Sequence, residues 1–498
     1  MTPLRASIKI WHFAGWRTDG IMNPDDAAIL ALDLGSTGLK GAWVGVRGAM
    51  GEILRAPSPL ARPGLDADEI WLAVRALMQD LLQAPEAPAR PLAVALTGVT
   101  RTHVFVDAAG RPLAPVMPWG DPYGEGRAGE LAQAYGVEGD TAGYGAFHPL
   151  ARLLQFRLDR GAAPAAIVEL RDWLNFRLTG RLATDAVALG RLAGAAQGPG
   201  PAEVLARLGL PASVLPPAAQ PAEILGQLRA EDAGLPAGLD GVPVACCSFD
   251  TWCTTLGLGA VAAGRIYDVS GTTEVLGTFA ARPRAVDGMV CLPWTPGLWH
   301  LGGPCQTGLG TLAWFARAFL DCDDPAATLQ AAMASTCDDA PLCLPYVTGE
   351  RMPLWNSRLA ASFHEVKATH TRRDLARAVA EGLALAHRLA LQRLGVLGGG
   401  QPLHMGGGGA LLAHWPQLRA DAFGMRVRLG VCPEPALAGA ALAAATALGV
   451  YPDIQAAQDA INEGSTVLHP EPARAAYFSG RARQFADVLQ DTLNRTPT

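Results

Sequence analysis

The chain has 498 residues, half of them hydrophobic and 17% charged, with a formal net charge of −6. That length accommodates two or three domains with large cores, and the acidic balance excludes a broad basic surface for nucleic acid. Its nine cysteines form no CxxC pair and no Cys/His ligand spacing, which predicts reduced thiols in a cytosol rather than a disulfide frame or zinc site.

Residues 1–26 are polar, contain Trp and lack periodicity, so they read as an N-terminal extension, with Met22 an alternative start just before the first strand. The stretch "AILALDLGSTGLKGAWV" (28–44) then places two apolar strands around a Gly-rich turn, which predicts a tight hairpin. Asp33, Ser36, Thr37 and Lys40 add a carboxylate, two hydroxyls and a cation to that turn. Together with the backbone N–H groups they suit a phosphate chain with an acid nearby for its metal. A purely structural turn explains the Asp and the glycines equally well.

A third strand is expected within 52–60, and a helix follows with Ile70, Val74, Leu77, Leu81 and Leu82 on one face. "PLAVALTGV" reads as a strand, "THVFVDAAGRPLAPVMPW" as strand, turn and strand, and 126–208 as mostly helical. The Pro/Gly-rich interval 209–241 reads as a loop-rich boundary. Beyond it, Asp268-Val-Ser-Gly-Thr-Thr repeats the opening theme about 235 residues after Asp33-Leu-Gly-Ser-Thr, which points to a long-period duplication.

In the second half, Thr371 and Asp374 match a capping box at the head of a long helix, 372–394. Gly406 to Gly409 stand between a strand and a helix opening, where they serve either as a linker or for close backbone approach by a ligand. The uncharged run Ala436–Tyr451 is shorter than the roughly 20 residues of a membrane span and reads as a packed, buried helix. The expectation is a cytoplasmic protein.

With these motifs in order, the chain resembles the FGGY family of carbohydrate kinases, of the actin-like ATPase superfamily. "LDLGSTGLK" resembles the first phosphate motif in its xylulokinase-like form, and "LTGVTRTHVFVDAAGRPLAPVMPWGD" the substrate-side segment. "DWLNFRLTGRLATD" is similar to the family's helix followed by Leu-Thr-Gly and Thr-Asp, and "VPVACCSFDTW" stands where members place Gly-Gly-Asp. "VSGTTEVL" resembles the second phosphate motif, "TGERMPLW" the Gly-Glu-Arg-x-Pro signature, and "MGGGGALLAHWPQLRADAFG" the adenosine loop. "PEPALAGAALAAATALGVYPD" resembles the closing helix.

The resemblance implies an α/β protein of two ribonuclease-H-like (actin-like ATPase) domains flanking a deep cleft. The expected division is 27–245 for the sugar and phosphate side, 246–460 for the ATP-binding side and 461–498 for a helical tail. It implies ATP and Mg²⁺, with Asp250 as general base and Asp33 orienting the metal. Ser36, Thr37, Gly38 and Lys40, with Gly271, Thr272 and Thr273, would hold phosphates, and Gly407 and Gly408 would pass under the adenosine. Thr100, Arg101, Asp121, Asp250 and Thr251 would meet the sugar, first of all a ketopentose such as xylulose. Glu350 and Arg351 would form a structural ion pair.

Alternatives stay open at several positions. Asp250 also suits a helix N-cap, Lys40 a solvated strand-edge charge, and His103 a packed, hydrogen-bonded role. The chain also departs from the pattern: members have Gln-Met-His or Gln-Arg-Glu where this one has Val99, Thr100 and Arg101, and "PYGEG" separates Asp121 from Arg127. Arg101 is suited to bidentate pairing with a carboxylate, so a sugar acid or a polyol is the second substrate reading. A non-catalytic sugar- or nucleotide-sensing relative is the third reading. The expected partner is a small-molecule sugar, with a homodimer as the family's common assembly.

Overall fold

The computed structural model describes residues 28–495, apart from 63, 139–141, 147, 191 and 193–198. The expected extension 1–26 lies outside them. The described residues form two compact units, one made of 28–257 and 436–460, the other of 258–435 and 461–495. Both are mixed α/β.

Among the described residues, the first unit is built on a six-stranded sheet. Strands β1 (Ala28–Leu34), β2 (Gly38–Gly45) and β3 (Leu54–Pro57) form an antiparallel meander, and β4 (Ala93–Gly98) lies parallel to β1. Strand Pro243–Ala245 continues parallel to β4, and Ile224–Gln227 closes the edge antiparallel to it. β1 is buried along its whole length, so its central place explains why "AILALDL" carries no alternation. Helix Ala67–Leu82 covers the sheet with Ile70, Val74, Leu77 and Leu81 buried, as its spacing predicts.

A smaller ladder joins β5 (His103–Val106) antiparallel to β6 (Ala166–Glu169). Phe105, Leu131, Leu150, Leu153, Leu154 and Ile167 pack beside it in a core of their own.

The second unit repeats the plan. Strands Ile266–Ser270 and Glu274–Ala280 form an antiparallel hairpin, Leu298–Cys305 extends it, and Leu403–Gly406 lies parallel to the first of these strands. Val427–Leu429 adds a further parallel strand. The order 3-2-1-4-5 therefore occurs in both sheets, with Val290–Thr295 an added strand on the second. The long helix Arg372–Leu394 has the capping box at Thr371 and Asp374.

The sequence reading places a boundary in 209–241, yet those residues lie inside the first unit. Ile224–Gln227 pairs with Pro243–Ala245, so the breakers there flank an edge strand. The contact division likewise runs after Gly257, where the expected one runs after 245, because helix Asp250–Gly257 follows directly from a strand of the first sheet. The Ala-rich run 435–447 is a buried helix that belongs to the first unit from Ala436 onward. Residues 461–495 pack as part of the second unit. No helix among the described residues is long and apolar enough to cross a membrane.

The Ala-rich helix approaches helix Asp250–Gly257 backbone to backbone. A Cβ at Gly439 would collide with the Cys253 carbonyl. Gly439→Ala is therefore expected to lower stability by about 3 kcal/mol, the upper range for forced overpacking, measurable as a lower urea midpoint.

Candidate active site

The first hairpin turns through Gly35 to Thr37, with the Gly35 N–H donating to the Gly38 carbonyl at 3.0 Å. Ser36 and Thr37 are exposed, Gly38 and Lys40 half-buried. Asp33, at the end of β1, is 6% exposed. Lys40 is its cross-strand partner on one side and Thr97 of β4 its partner on the other, so the three share one face of the sheet. A single carboxylate beside two exposed hydroxyls is a donor set that fits Mg²⁺, which keeps several waters and takes few protein ligands.

Asp250 begins a helix just beyond the strand Pro243–Ala245, and its carboxylate accepts the Thr251 N–H at 2.6 Å and the Thr251 hydroxyl at 3.1 Å. Because β4 lies between β1 and Pro243–Ala245, Asp33 and Asp250 stand past the same ends of strands flanking one common neighbour. The Thr97 hydroxyl ties that neighbour to the segment leading into Asp250 by donating to the Ser248 carbonyl at 2.8 Å.

Beneath this edge runs a buried polar network the sequence reading missed. Ser248 Oγ donates to Asp185 Oδ1 at 2.8 Å, and Asp185 Oδ1 also accepts the Val187 and Ala188 N–H groups. Arg171, itself buried, bridges Asp185 and Asp172, and the Thr184 hydroxyl donates to Asp172 at 2.7 Å. The Thr-Asp motif of the sequence is thus the support of the Asp250 segment. Its Arg171 partner carries no local signal of that role.

On the sugar side, Thr100 is half-buried and Arg101 is exposed, while Asp121 accepts the Tyr123 N–H at 2.8 Å. Arg101 has φ 58°, a left-handed conformation that costs an arginine on the order of 1–2 kcal/mol unless its surroundings impose it. His103 is buried and takes the packed role: its Nδ1 faces Arg152 Nη1 at 3.0 Å. Desolvation, with the Arg152 charge behind it, holds His103 neutral. A cavity of about 50 Å³ lies against Thr100, Arg101, His103, His148 and Glu169.

The second unit presents the other hairpin. Gly271 and Thr273 are half-buried and Thr272 is exposed at its turn, where the Gly271 and Thr272 carbonyls accept N–H groups of Leu309 and Gly310 at 2.8 and 3.0 Å. Here the strand-end aspartate is not free for a ligand. Asp268 and Glu274 are both fully buried and paired to Arg419, which lies over the Trp415 and Phe423 rings and also meets His387. Glu274 also accepts from Ser270, and Ser270 from the Trp415 indole.

Gly407, with φ 79°, passes so near this hairpin that a Cβ would fall 2.6 Å from the Ser270 carbonyl oxygen. The close approach at this residue is to protein backbone, so Gly407 is packed against the hairpin rather than part of a free linker. Gly408 opens a short 3-10 turn, Gly408–Leu411.

Glu350 and Arg351 meet through backbone rather than as the expected ion pair: the Arg351 N–H donates to the Glu350 carboxylate at 2.8 Å. Glu350 accepts the Gln306 N–H and the Thr307 hydroxyl, and the Arg351 guanidinium donates to the Cys305 carbonyl at 3.0 Å. The nine cysteines are all free. The fold does gather Cys337, Asp339 and His370, but Lys367 pairs with that carboxylate and its N–H occupies His370 Nδ1, which makes a poor cation site.

Two units of like topology, each opening on a polar hairpin, define the two-domain actin-like ATPase fold. Comparison with known proteins makes this specific. Residues 28–257 match the N-terminal domain, and residues 266–448 the C-terminal domain, of the FGGY family of carbohydrate kinases. The chain belongs to this family and is a sugar kinase. It is 27% identical over 425 residues to the xylulose kinase of Escherichia coli (strain K12), covering 80% of this chain and 85% of that protein. To the autoinducer-2 kinase of Enterobacter sp. (strain 638) it is 26% identical over 391 residues, 73% of this chain and 72% of that one. The crystal structure of gluconate kinase from Lactobacillus acidophilus superposes with a TM-score of 0.78 at 21% identity, covering 94% of this chain and 98% of that one, which is a likeness of fold.

Arg419 makes the second hairpin's stability testable. Arg419→Met would leave Asp268 and Glu274 buried without a counter-charge, a loss of about 3–5 kcal/mol. Chemical denaturation is expected to show that drop.

Proposed function

We propose that the protein transfers the γ-phosphoryl group of ATP, as its Mg²⁺ complex, to a hydroxyl of a small sugar, with Asp250 as general base. The observation that carries the reading is the arrangement of Asp33 and Asp250 at strand ends on either side of β4, joined through Thr97 and Ser248. An acid beside a phosphate-type turn and a second acid at a helix start meet the two needs of phosphoryl transfer, charge neutralisation and proton acceptance.

In this reading, Ser36, Thr37, Gly38 and Lys40 and the Gly271-Thr272-Thr273 turn offer N–H, hydroxyl and ammonium donors to phosphate oxygens. Gly407 and Gly408 let the adenosine approach backbone. Asp33 would hold Mg²⁺, which supplies positive charge to the phosphates when bound. Asp250 accepts the proton of the attacking hydroxyl as the new O–P bond forms and the bond to ADP breaks. Thr251 helps to aim the Asp250 carboxylate, and Thr100, Arg101 and Asp121 orient the sugar.

The first substrate to test is a ketopentose such as xylulose. A specific feature favours a second reading. Arg101 is an exposed arginine at the expected sugar position with its backbone held, its guanidinium a group suited to a carboxylate, and one of the structural neighbours is named for gluconate.

The test is ADP release from MgATP with ketopentoses, polyols and aldonates, with Asp250→Asn alongside. Wild type is expected to turn over with one class. The variant is expected to lose about 10²–10⁴-fold in kcat while calorimetric affinities for nucleotide and sugar change only a few-fold. Nucleotide binding without turnover on any sugar would instead favour the non-catalytic sensor.

A further inference from the structure

Two side chains outside the expected site converge on its backbone. Glu169 ends β6 and precedes helix Leu170–Thr179, and its two carboxylate oxygens accept one N–H each, from Arg101 at 3.1 Å and Thr102 at 3.2 Å. Arg152 is fully buried. One of its terminal nitrogens donates to the carbonyls of Arg101 and Met117, the other to those of Pro118 and Asp121, and its Nε to that of Ala146. The left-handed Arg101 is therefore held at its N–H by one side chain and at its carbonyl by the other. The same guanidinium also grips the segment that ends at Asp121.

We propose that Glu169 and Arg152 are positioning residues for sugar recognition, a clamp that sets the 100–102 and 117–121 backbones before the sugar arrives. The proposal rests on the kinase reading for the roles of Thr100, Arg101 and Asp121. It needs nothing from Glu169 or Arg152 in the chemical step.

The chemistry of the clamp separates it from ordinary packing. Burial pushes the Glu169 carboxyl up to about 7, although Arg171 pulls it down and Asp172 and Asp185 push it further up. From the loop and from β5, Arg101 and His103 also face it, Arg152 acts on it from helix Pro149–Arg160, and His148 at the N-cap of that helix lines the same cavity. His148 is held at about 3 and His103 well below its ordinary value, both mainly by desolvation. Neither histidine charges near neutrality, whereas Glu169 does.

Above pH 7 the carboxylate accepts both N–H groups. Below it, one oxygen carries a proton and one N–H faces a neutral, weaker acceptor, so the loop loosens and the sugar KM rises. The stability effect has the opposite sign. A carboxyl raised from 4.5 to about 7 stabilises the fold most at acid pH, and that contribution is lost as pH rises through 7. Ionised Glu169 thus costs stability at the pH where the clamp is made. This pattern belongs to a functional group rather than to a packing residue.

At pH 8, Glu169→Gln is expected to raise the sugar KM about ten-fold, because its amide accepts one N–H and opposes the other. The kcat should stay within two-fold, the KM for ATP unchanged and Tm unchanged or higher. Wild-type sugar KM should rise as pH falls from 7.5 to 6, and the variant's should stay flat. Arg152→Lys, with three donors in place of five, should raise the sugar KM in the same selective way.

A reading independent of turnover comes from the Arg101 and Thr102 amide resonances of selectively ¹⁵N-labelled protein. They should titrate near pH 7 in the wild type and not in Glu169→Gln. Amides that do not titrate, or a lowered Tm with unchanged sugar KM at both pH values, would overturn the clamp. Titrating amides in a protein with no sugar turnover would instead sink the kinase reading and leave the clamp standing as a loop-holding device.

Discussion

Much of this protein depends on one hydrogen-bonded step, Thr97 to the Ser248 carbonyl and Ser248 to Asp185. The ends of parallel strands carry groups that point past the sheet, where nothing in the ladder holds them. Here the central strand β4 reaches across to the segment leading into Asp250, and Asp185 holds that segment from below while accepting two N–H groups of its own. Arg171 satisfies the remaining oxygen of Asp185 and ties in Asp172. Buried charges of this kind seldom increase stability over an apolar core, and their value lies in fixing one arrangement. The arrangement fixed here is the relation between two strand ends that each carry a carboxylate.

The duplicated plan sharpens the point. Asp33 and Asp268 occupy matching register positions on the first strands of two sheets that share one plan, each one residue before the partner of the neighbouring strand's last glycine. Asp268 is fully buried and spent on Arg419, together with Glu274, in a network that secures the second hairpin against Trp415. Asp33 instead sits beside exposed Ser36 and Thr37 and opposite Lys40. One copy of the position has become internal structure, and the other retains surroundings a cation accepts. A motif alone does not reveal this division, since it turns on a guanidinium about 150 residues away.

That distance marks what was legible in the sequence. The hairpins, the 67–82 helix, the capping box at Thr371 and the buried Ala-rich helix all follow from local period and composition, and the structure contains them. The interval 209–241 misleads because a four-residue edge strand flanked by Pro and Gly has the composition of a loop. The return of 436–460 to the first unit is set by close contact at Gly439, which no periodicity announces. Arg152, Glu169 and Arg171 are silent for a similar reason. Each lies within a helix or strand pattern and acts on backbone or carboxylates far along the chain, from 14 residues away for Asp185 to 68 for Arg101.

Those three residues also hold two backbone segments by separate means on one scaffold. The Asp250 segment is supported through Asp185 and Arg171, and the Arg101 loop through Glu169 and Arg152. Only the start of helix Leu170–Thr179 serves both, since Glu169, Arg171 and Asp172 stand within one turn of it. A substitution in the 99–101 loop is therefore compatible with undisturbed strand ends, provided Glu169 still finds two N–H groups to hold. Val99, Thr100 and Arg101 thus stand on a mount made by Glu169 and Arg152. The mount tolerates an arginine in left-handed backbone because the carboxylate and the guanidinium fix that backbone from opposite sides.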